Sequence, residues 1–202
     1  MISNISGVIL AGGANKRFNG ITKANIVIDG RTIISRIIDT ISDIFEETII
    51  VTNTPEEFTE YNHLKIVGDI FLKAGPLGGI HAAIRASESK ALFVFAGDMP
   101  LINKDIIIRQ IDYFNTNRYD VLVPQISDNI EPLHAIYSCS IKKNLEEYLH
   151  HVQNYAVRDF LDHVNAGYLI FDESIETRNA FTNVNTPSDL DIIEEILRNY
   201  RI

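Results

Sequence analysis

The stretch LAGGANKRFNGITK follows the first apolar run of the chain, and that run has the pattern of a buried strand. Gly12 and Gly13 permit a sharp turn and a close approach to a ligand because they carry no Cβ. The N–H groups of such a loop can face an anion such as phosphate, and Arg17 and Lys23 add fixed positive charge. The combination favours a nucleoside triphosphate site. The alternative is an ordinary strand-to-helix turn with surface cations.

The spacing of this loop differs from both common phosphate loops. A Walker loop needs G-x-x-x-x-G-K-[ST] and a dinucleotide fingerprint needs G-x-G-x-x-G, and neither stands in the stretch. The loop therefore has to be interpreted together with the other motifs of the chain.

Asp98 stands in AGDMP, directly after a second apolar run. A carboxylate at the end of a strand can bind Mg²⁺ through one or two oxygens, and the metal would neutralise charge on phosphate oxygens. We therefore predict that Asp98 is a metal ligand. The alternative is that its side chain caps the helix that begins near Asn103.

Polar side chains follow two further strand-like runs. Asn53 in VTNT and Asp69 in VGDIF are candidates for contacts to a nucleoside. The alternatives are an Asx-turn before Pro55 and an exposed turn aspartate. The run GPLGGI, which contains Gly75 and Gly79, opens a helix whose small residues permit a ligand at its N-terminus. Tight packing of that run on the sheet is the alternative.

The segment NVNTPSDL near the end of the chain is the second specific motif. Thr186 and Pro187 suit the start of a helix. Asn183 and Asn185 alternate in an extended segment, so both can face one side, and we predict that they belong to a site. Asp189 and the acidic residues after it are interpreted as a solvated helix face.

Strand-like runs alternate with helical patterns along the chain, which predicts an α/β fold with a mostly parallel sheet. The predicted strands are 6–10, 48–52, 65–67, 91–95, 120–124, 133–138 and 167–171. The predicted helices are 32–44, 77–86, 104–115, 141–150, 156–164 and 188–198. Ligands bind at the carboxyl ends of such strands, where the candidate residues stand. We expect one domain, 1–202, with an acceptor-binding subregion at about 125–176.

The composition narrows the class of protein. The chain has 202 residues, is 46% hydrophobic and has a net charge of −9. The acidic balance argues against a general nucleic-acid binder. No apolar stretch approaches the ~20 residues of a membrane span, so no membrane contact is expected. A single cysteine, Cys139, leaves no intrachain disulfide and fits a cytoplasmic location.

The four motifs LAGG…R…K, GPLGGI, GDMP and NVNTPSDL, in that order, resemble the molybdenum cofactor guanylyltransferase (MobA-like) family. The resemblance runs from Leu10 to Leu190. It implies a Rossmann-like, three-layer αβα nucleotidyltransferase that transfers GMP from GTP to molybdopterin, with Mg²⁺ as cofactor and pyrophosphate as the second product. It also implies molybdoenzyme apoproteins as recipients of the product. LAGG in place of LAAG favours guanine over cytosine by the same resemblance.

Residue roles follow from the resemblance position by position. The nucleotide site would comprise Leu10, Ala11, Gly12, Gly13, Lys23, Asn53, Asp69, Gly75, Gly79 and Asp98. The catalytic residues would be Lys23, Asp98 and Arg17, with Asp98 holding Mg²⁺. Asn183 and Asn185 would serve the pterin, apart from the nucleotide. Two other functions stay open: a nucleotidyltransferase acting on a sugar phosphate or another phosphorylated metabolite, and a non-catalytic nucleotide-binding protein.

Overall fold

The computed structural model describes residues 1–12, 21–152 and 154–199. Its strands, in chain order, are β1 (Ile5–Leu10), β2 (Val27–Ile28), β3 (Arg31–Thr32), β4 (Thr48–Val51), β5 (Lys65–Val67), β6 (Ala91–Ala96), β7 (Val121–Ile126), β8 (Asn129–Ile130), β9 (His134–Ser138) and β10 (Ala166–Phe171). Its α-helices are α1 (Ile33–Ile41), α2 (Gly75–Ala86), α3 (Lys104–Thr116), α4 (Lys142–His151), α5 (Val157–Leu161), α6 (Ile175–Ala180) and α7 (Pro187–Asn199). Short 3₁₀ helices cover Lys23–Asn25, Pro55–Tyr61 and Cys139–Ile141.

The central sheet has the strand order β10-β7-β9-β6-β1-β4-β5, and β8 pairs with β7. Strands β6, β1, β4 and β5 are parallel neighbours, and β10 is parallel to β7. Strand β9 runs antiparallel to both β6 and β7. The predicted α/β class with a mostly parallel sheet is therefore confirmed.

Alternation along β6 places the hydrophobic core on both faces of the sheet. Phe93 and Phe95 pack with α1, α3 and α7 on one face, whereas Leu92 and Val94 pack with α2, α4 and α5 on the other. Successive side chains of a strand point to opposite faces, so a run that is buried throughout needs a layer of helices on each side. The three-layer αβα arrangement follows.

Several elements differ from the prediction. Helix α2 begins two residues before the predicted 77, since Pro76 suits the first turn of a helix, and α5 is shorter than the predicted 156–164. The hairpin of β2 and β3 was not predicted, although Asp29-Gly30 is a strong turn signal and both residues have positive φ. Helix α6, capped by Ser174, was also not predicted.

The segment 125–176 shares the central sheet. It supplies β8, β9 and β10, and α4 and α5 pack on the same face as α2. The acceptor-binding role of this segment stays a prediction. Within the described ranges, no helix combines the length and the apolar character that crossing a membrane requires. A cytoplasmic location also stays a prediction.

Candidate active site

The parallel strands β6, β1, β4 and β5 end at one edge of the sheet, and backbone hydrogen bonds connect the residues at and just beyond their ends. The backbone hydrogen bonds beyond the strand ends are Gly97 N to Leu10 O at 3.0 Å, Ala11 N to Val51 O at 2.9 Å, and Thr52 N to Val67 O at 2.9 Å. The residues that come after these strand ends therefore lie at one edge of the sheet, as the sequence predicted for the ligand-binding residues of a parallel sheet. They are Gly12, Asn53, Asp69 and Asp98.

Lys23 connects two of the predicted motifs at this edge. Its Nζ donates hydrogen bonds to Asp98 Oδ2 and to Asn185 Oδ1, each at 2.8 Å. The side chains of Lys23 and Asp98 are only 19% and 21% exposed, so the ion pair is less screened by water than an exposed pair would be. The carbonyl of Asp98 also accepts from Val184 N at 2.8 Å. The Lys23 side chain and the backbone bond between Val184 and Asp98 thus both connect the GDMP loop to the NVNT segment.

The two asparagines of the NVNT segment have different surroundings. Asn185 contacts Lys23, whereas the side-chain amide of Asn183 donates to the nearby Phe181 carbonyl at 3.4 Å. The prediction kept Lys23 and Asp98 apart from both asparagines. The structure brings Asn185 directly onto the lysine, so the two ends of the predicted site meet at one ammonium group. The pterin-binding role of Asn183 and Asn185 stays a prediction.

Asp189 fixes the backbone of Asn185, the residue whose side chain contacts Lys23. Its Oδ2 accepts from Asn185 N and Thr186 N, both at 2.7 Å. These bonds, first that from Asn185 and then that from Thr186, hold the pKa of Asp189 below its usual value, and the charge of Lys23 adds to the effect. Asp189 is a partly exposed residue of α7, as the interpretation of a solvated helix face expected, but its carboxylate also caps the helix, a role that the sequence analysis did not assign. The spacing of Thr186 and Asp189 is that of a capping box, which is the sequence signal that could have found it.

Asn53 and Asp69 form a reciprocal pair on the other side of β1. Asn53 Nδ2 donates to Asp69 Oδ2, and Asp69 N donates to Asn53 Oδ1, both at 2.9 Å. The Asx-turn considered as the alternative is not formed, because Asn53 Oδ1 accepts from Asp69 N and Pro55 has no N–H to donate to it. Within the described part of the chain, the pair leaves one carboxylate oxygen and one amide hydrogen for a ligand.

The glycines of GPLGGI allow α2 to approach the strand ends closely. A Cβ on Gly78 would lie 2.7 Å from the Phe71 carbonyl oxygen, and one on Gly79 would lie 3.0 Å from a methyl of Leu10. Tight packing, the alternative given for this run, therefore accounts for Gly78 and Gly79. Gly75 begins the helix with φ +58°, a conformation that favours glycine. Their contacts to a nucleotide stay predictions.

Asp98 is free of the capping role considered for it. Asn103 caps α3 itself, since its Oδ1 accepts from Asp105 N at 2.8 Å and Ile106 N at 3.2 Å. Across the described ranges, no group of three or more His, Cys, Asp or Glu residues could hold a metal. A metal at Asp98 would therefore have at most two ligands from such side chains of the described residues.

Glu131 is a polar neighbour of the site that the sequence did not indicate as a site residue. It is half-buried, and burial raises the pKa of its carboxyl. The negative charge of Asp98 raises that pKa further, and the cation of Arg158 opposes the shift. The loop that carries Glu131 reaches this edge because Ala96 N donates to the Leu133 carbonyl at 2.8 Å. Gly13 and Arg17, two predicted site residues, lie outside the described residues.

The chain is similar to known proteins over most of its length. A family model described as a MobA-like NTP transferase domain matches residues 7–166. A probable molybdenum cofactor guanylyltransferase of Natranaerobius thermophilus is 36% identical over 200 residues, 95% of each chain. A protein of the same description from Clostridium perfringens is 40% identical over 146 residues, 71% of each chain. A crystal structure of molybdopterin-guanine dinucleotide biosynthesis protein A from Archaeoglobus fulgidus superposes with a TM-score of 0.82 at 25% identity, covering 96% of this chain and 99% of that one.

Proposed function

Because the chain belongs to the MobA-like NTP transferase family, we propose that it transfers GMP from GTP to molybdopterin, giving the guanine dinucleotide and pyrophosphate. The observation that carries the proposal is the position of Lys23. Its ammonium group lies between Asp98 and Asn185, at the sheet edge where parallel α/β folds bind ligands. One cation thus lies between the residues proposed for the nucleotide and those proposed for the acceptor.

The reaction needs positioning and charge neutralisation more than covalent chemistry. The terminal phosphate oxygen of the pterin attacks the α-phosphorus of GTP, and the bond from that phosphorus to the β-phosphate oxygen breaks. Pyrophosphate leaves with the electron pair of that bond, so no covalent enzyme intermediate forms. A fixed ammonium group can stabilise the charge that develops on the phosphate oxygens. Holding both substrates at one edge removes much of the entropic barrier.

Mg²⁺ is part of the proposal, and Asp98 would hold it. Mg²⁺ in phosphate sites is commonly bound through one or two carboxylates together with substrate phosphates rather than by a protein cage. The carboxylate of Asp98 fits that mode, since the described residues contain no group of three or more His, Cys, Asp or Glu side chains that could hold the ion by itself. When bound, the ion would neutralise phosphate charge.

Asn53 and Asp69 are proposed to contact the guanosine. Their reciprocal hydrogen bonds fix both side chains in one orientation, and fixed donors and acceptors reject a base that leaves them unpaired. We therefore propose that the site accepts GTP in preference to CTP or ATP.

The test is pyrophosphate release by the purified chain with GTP and Mg²⁺, comparing molybdopterin with a panel of sugar phosphates. We expect release with molybdopterin only, and loss of most of it in Lys23→Met, which keeps the length of the side chain but removes its charge. Release with a sugar phosphate instead would indicate another nucleotidyltransferase. GTP binding without release under any condition would indicate a non-catalytic protein.

A further inference from the structure

We propose that Asp189 is a positioning residue for the transfer reaction: through the backbone of Asn185 it holds the amide that orients Lys23. The inference rests on the proposed function, because it assigns Lys23 to the reacting phosphates. It adds a residue of α7 that lies outside the nucleotide-binding loops and has no predicted contact with either substrate.

The first step is the capping of α7 by Asp189. One carboxylate oxygen accepts from both Asn185 N and Thr186 N at 2.7 Å. Hydrogen bonds to an ionised acceptor are shorter and stronger than neutral ones. Two of them to consecutive peptide groups fix the plane and direction of the chain at Asn185, from which its side chain projects.

The second step is the contact between Asn185 and Lys23. Asn185 is exposed, yet its Oδ1 accepts from Lys23 Nζ at 2.8 Å. A lysine ammonium is a point charge on a flexible four-carbon stem, so its location depends on the acceptors around it. Lys23 has three N–H donors. Among the described residues, two of them are used, on Asp98 and Asn185, and the third can meet a phosphate oxygen.

The third step connects the same segment to Asp98. Val184 N donates to the Asp98 carbonyl at 2.8 Å, so a displacement of the chain before α7 reaches both partners of the ion pair. A purely structural cap would stabilise α7 and leave the reacting groups unaffected. The series of contacts from Asp189 through Asn185 to Lys23 instead predicts that loss of the Asp189 carboxylate lowers the turnover of the folded protein.

The experiment compares Asp189→Ala and Asp189→Asn with Asp191→Asn. Asp191 is an exposed residue of the same helix with no hydrogen bond or ion pair to the described residues, so its variant controls for the lost charge. We expect Asp189→Ala to lower kcat for GMP transfer by about 10-fold or more, approaching the ~10²-fold that a 1 Å misplacement can cost. Asp189→Asn, which keeps an acceptor oxygen, should retain most of the turnover, and Asp191→Asn should match the wild type.

A double-mutant cycle with Asn185→Ala separates positioning from stability. If Asp189 acts mainly through Asn185, adding Asp189→Ala to Asn185→Ala should lower kcat by clearly less than Asp189→Ala does in the wild type, the remainder reflecting the bond from Val184 N to the Asp98 carbonyl, while the thermal midpoint still falls because the cap is lost. An undiminished fall in kcat in the Asn185→Ala background would overturn the proposal. So would an Asp189→Ala variant that changes only the thermal midpoint.

A second readout does not depend on activity. In protein labelled with ¹³C at the lysine Cε, the Lys23 signal is assigned with Lys23→Met and followed in each variant. We expect the signal to shift in Asp189→Ala and in Asn185→Ala but not in Asp191→Asn. An unshifted Lys23 signal in Asp189→Ala contradicts the proposed positioning. If the wild type transfers no GMP, the proposed function fails, and the Lys23 signal still decides whether Asp189 orients the lysine.

Discussion

Gly97 fixes the distance between the GDMP loop and the first strand, and replacing it by alanine tests how closely the site depends on that distance. A Cβ at this position would lie 2.8 Å from the Leu10 carbonyl oxygen and 3.2 Å from the Ala11 Cα. Both neighbouring atoms belong to the backbone of the sheet edge, so they cannot turn away as the end of a side chain could.

The expected cost follows from this geometry. Forcing extra volume into a well-packed interior costs typically ~1–3 kcal/mol. A domain of about this size loses about 2–4 °C in Tm for each kcal/mol. The Gly97 N–H also donates to Leu10 O at 3.0 Å, so relief of the clash moves Asp98 with the loop. We therefore expect kcat to fall by about 10- to 100-fold, the scale on which misplacement of reacting groups acts.

Gly12→Ala is the matched control for Gly97→Ala. A Cβ at Gly12 meets no atom of the described residues within 4 Å, so the free energy of unfolding should stay near that of the wild type. Its expected effect is on the affinity for GTP, since a side chain there would meet the phosphates. Urea unfolding and steady-state kinetics measure both variants. A Gly97→Ala protein with wild-type stability and turnover would refute the argument from close approach.

Three further predictions concern charge, base choice and pH. Asp98→Asn should keep the fold and lower Mg²⁺-dependent turnover by at least ~10²-fold, the scale of a lost charge stabiliser; near-normal turnover would count against Asp98 as the metal ligand. Wild-type kcat/KM should be higher with GTP than with CTP or ATP, and equal values would remove the role given to Asn53 and Asp69. Burial lowers the pKa of His134 from 6.5 to about 4, so folding favours the neutral ring. Unfolding free energy should fall as the pH drops from about 7 to 4, by about 3 kcal/mol more in the wild type than in His134→Phe. Equal pH slopes in urea unfolding would contradict that.

The sequence predicted the sheet and the placement of residues at its edge because both depend on local patterns. Apolar runs such as 91–95 indicate buried strands. Parallel strands place their carboxyl ends at the same edge of the sheet, whatever path the connecting loops take. Asn53, Asp69 and Asp98 were found for that reason. The Asp29-Gly30 turn carried a local signal as well, but its two-residue strands are too short to show alternation.

The contacts within the site could not be predicted in the same way. Lys23 and Asn185 are 162 positions apart, and no periodicity relates a loop lysine to the segment before the last helix. Tertiary packing alone decides that Asn185 turns to Lys23 while Asn183 bonds locally. Glu131 was missed for the same reason: its relation to Asp98 depends on the antiparallel return of β9 beside β6.

The central claim is that one site, built around Lys23, transfers the GMP unit of GTP, with its α-phosphorus, to the pterin. The direct measurement follows GTP labelled at the α-phosphorus, incubated with molybdopterin and Mg²⁺, and separates the products by chromatography with mass detection. The account predicts that the label moves into a pterin–guanine dinucleotide, that the pyrophosphate is unlabelled, and that Lys23→Met abolishes most of the transfer. Labelled GMP released without a dinucleotide, or full transfer by Lys23→Met, would contradict it.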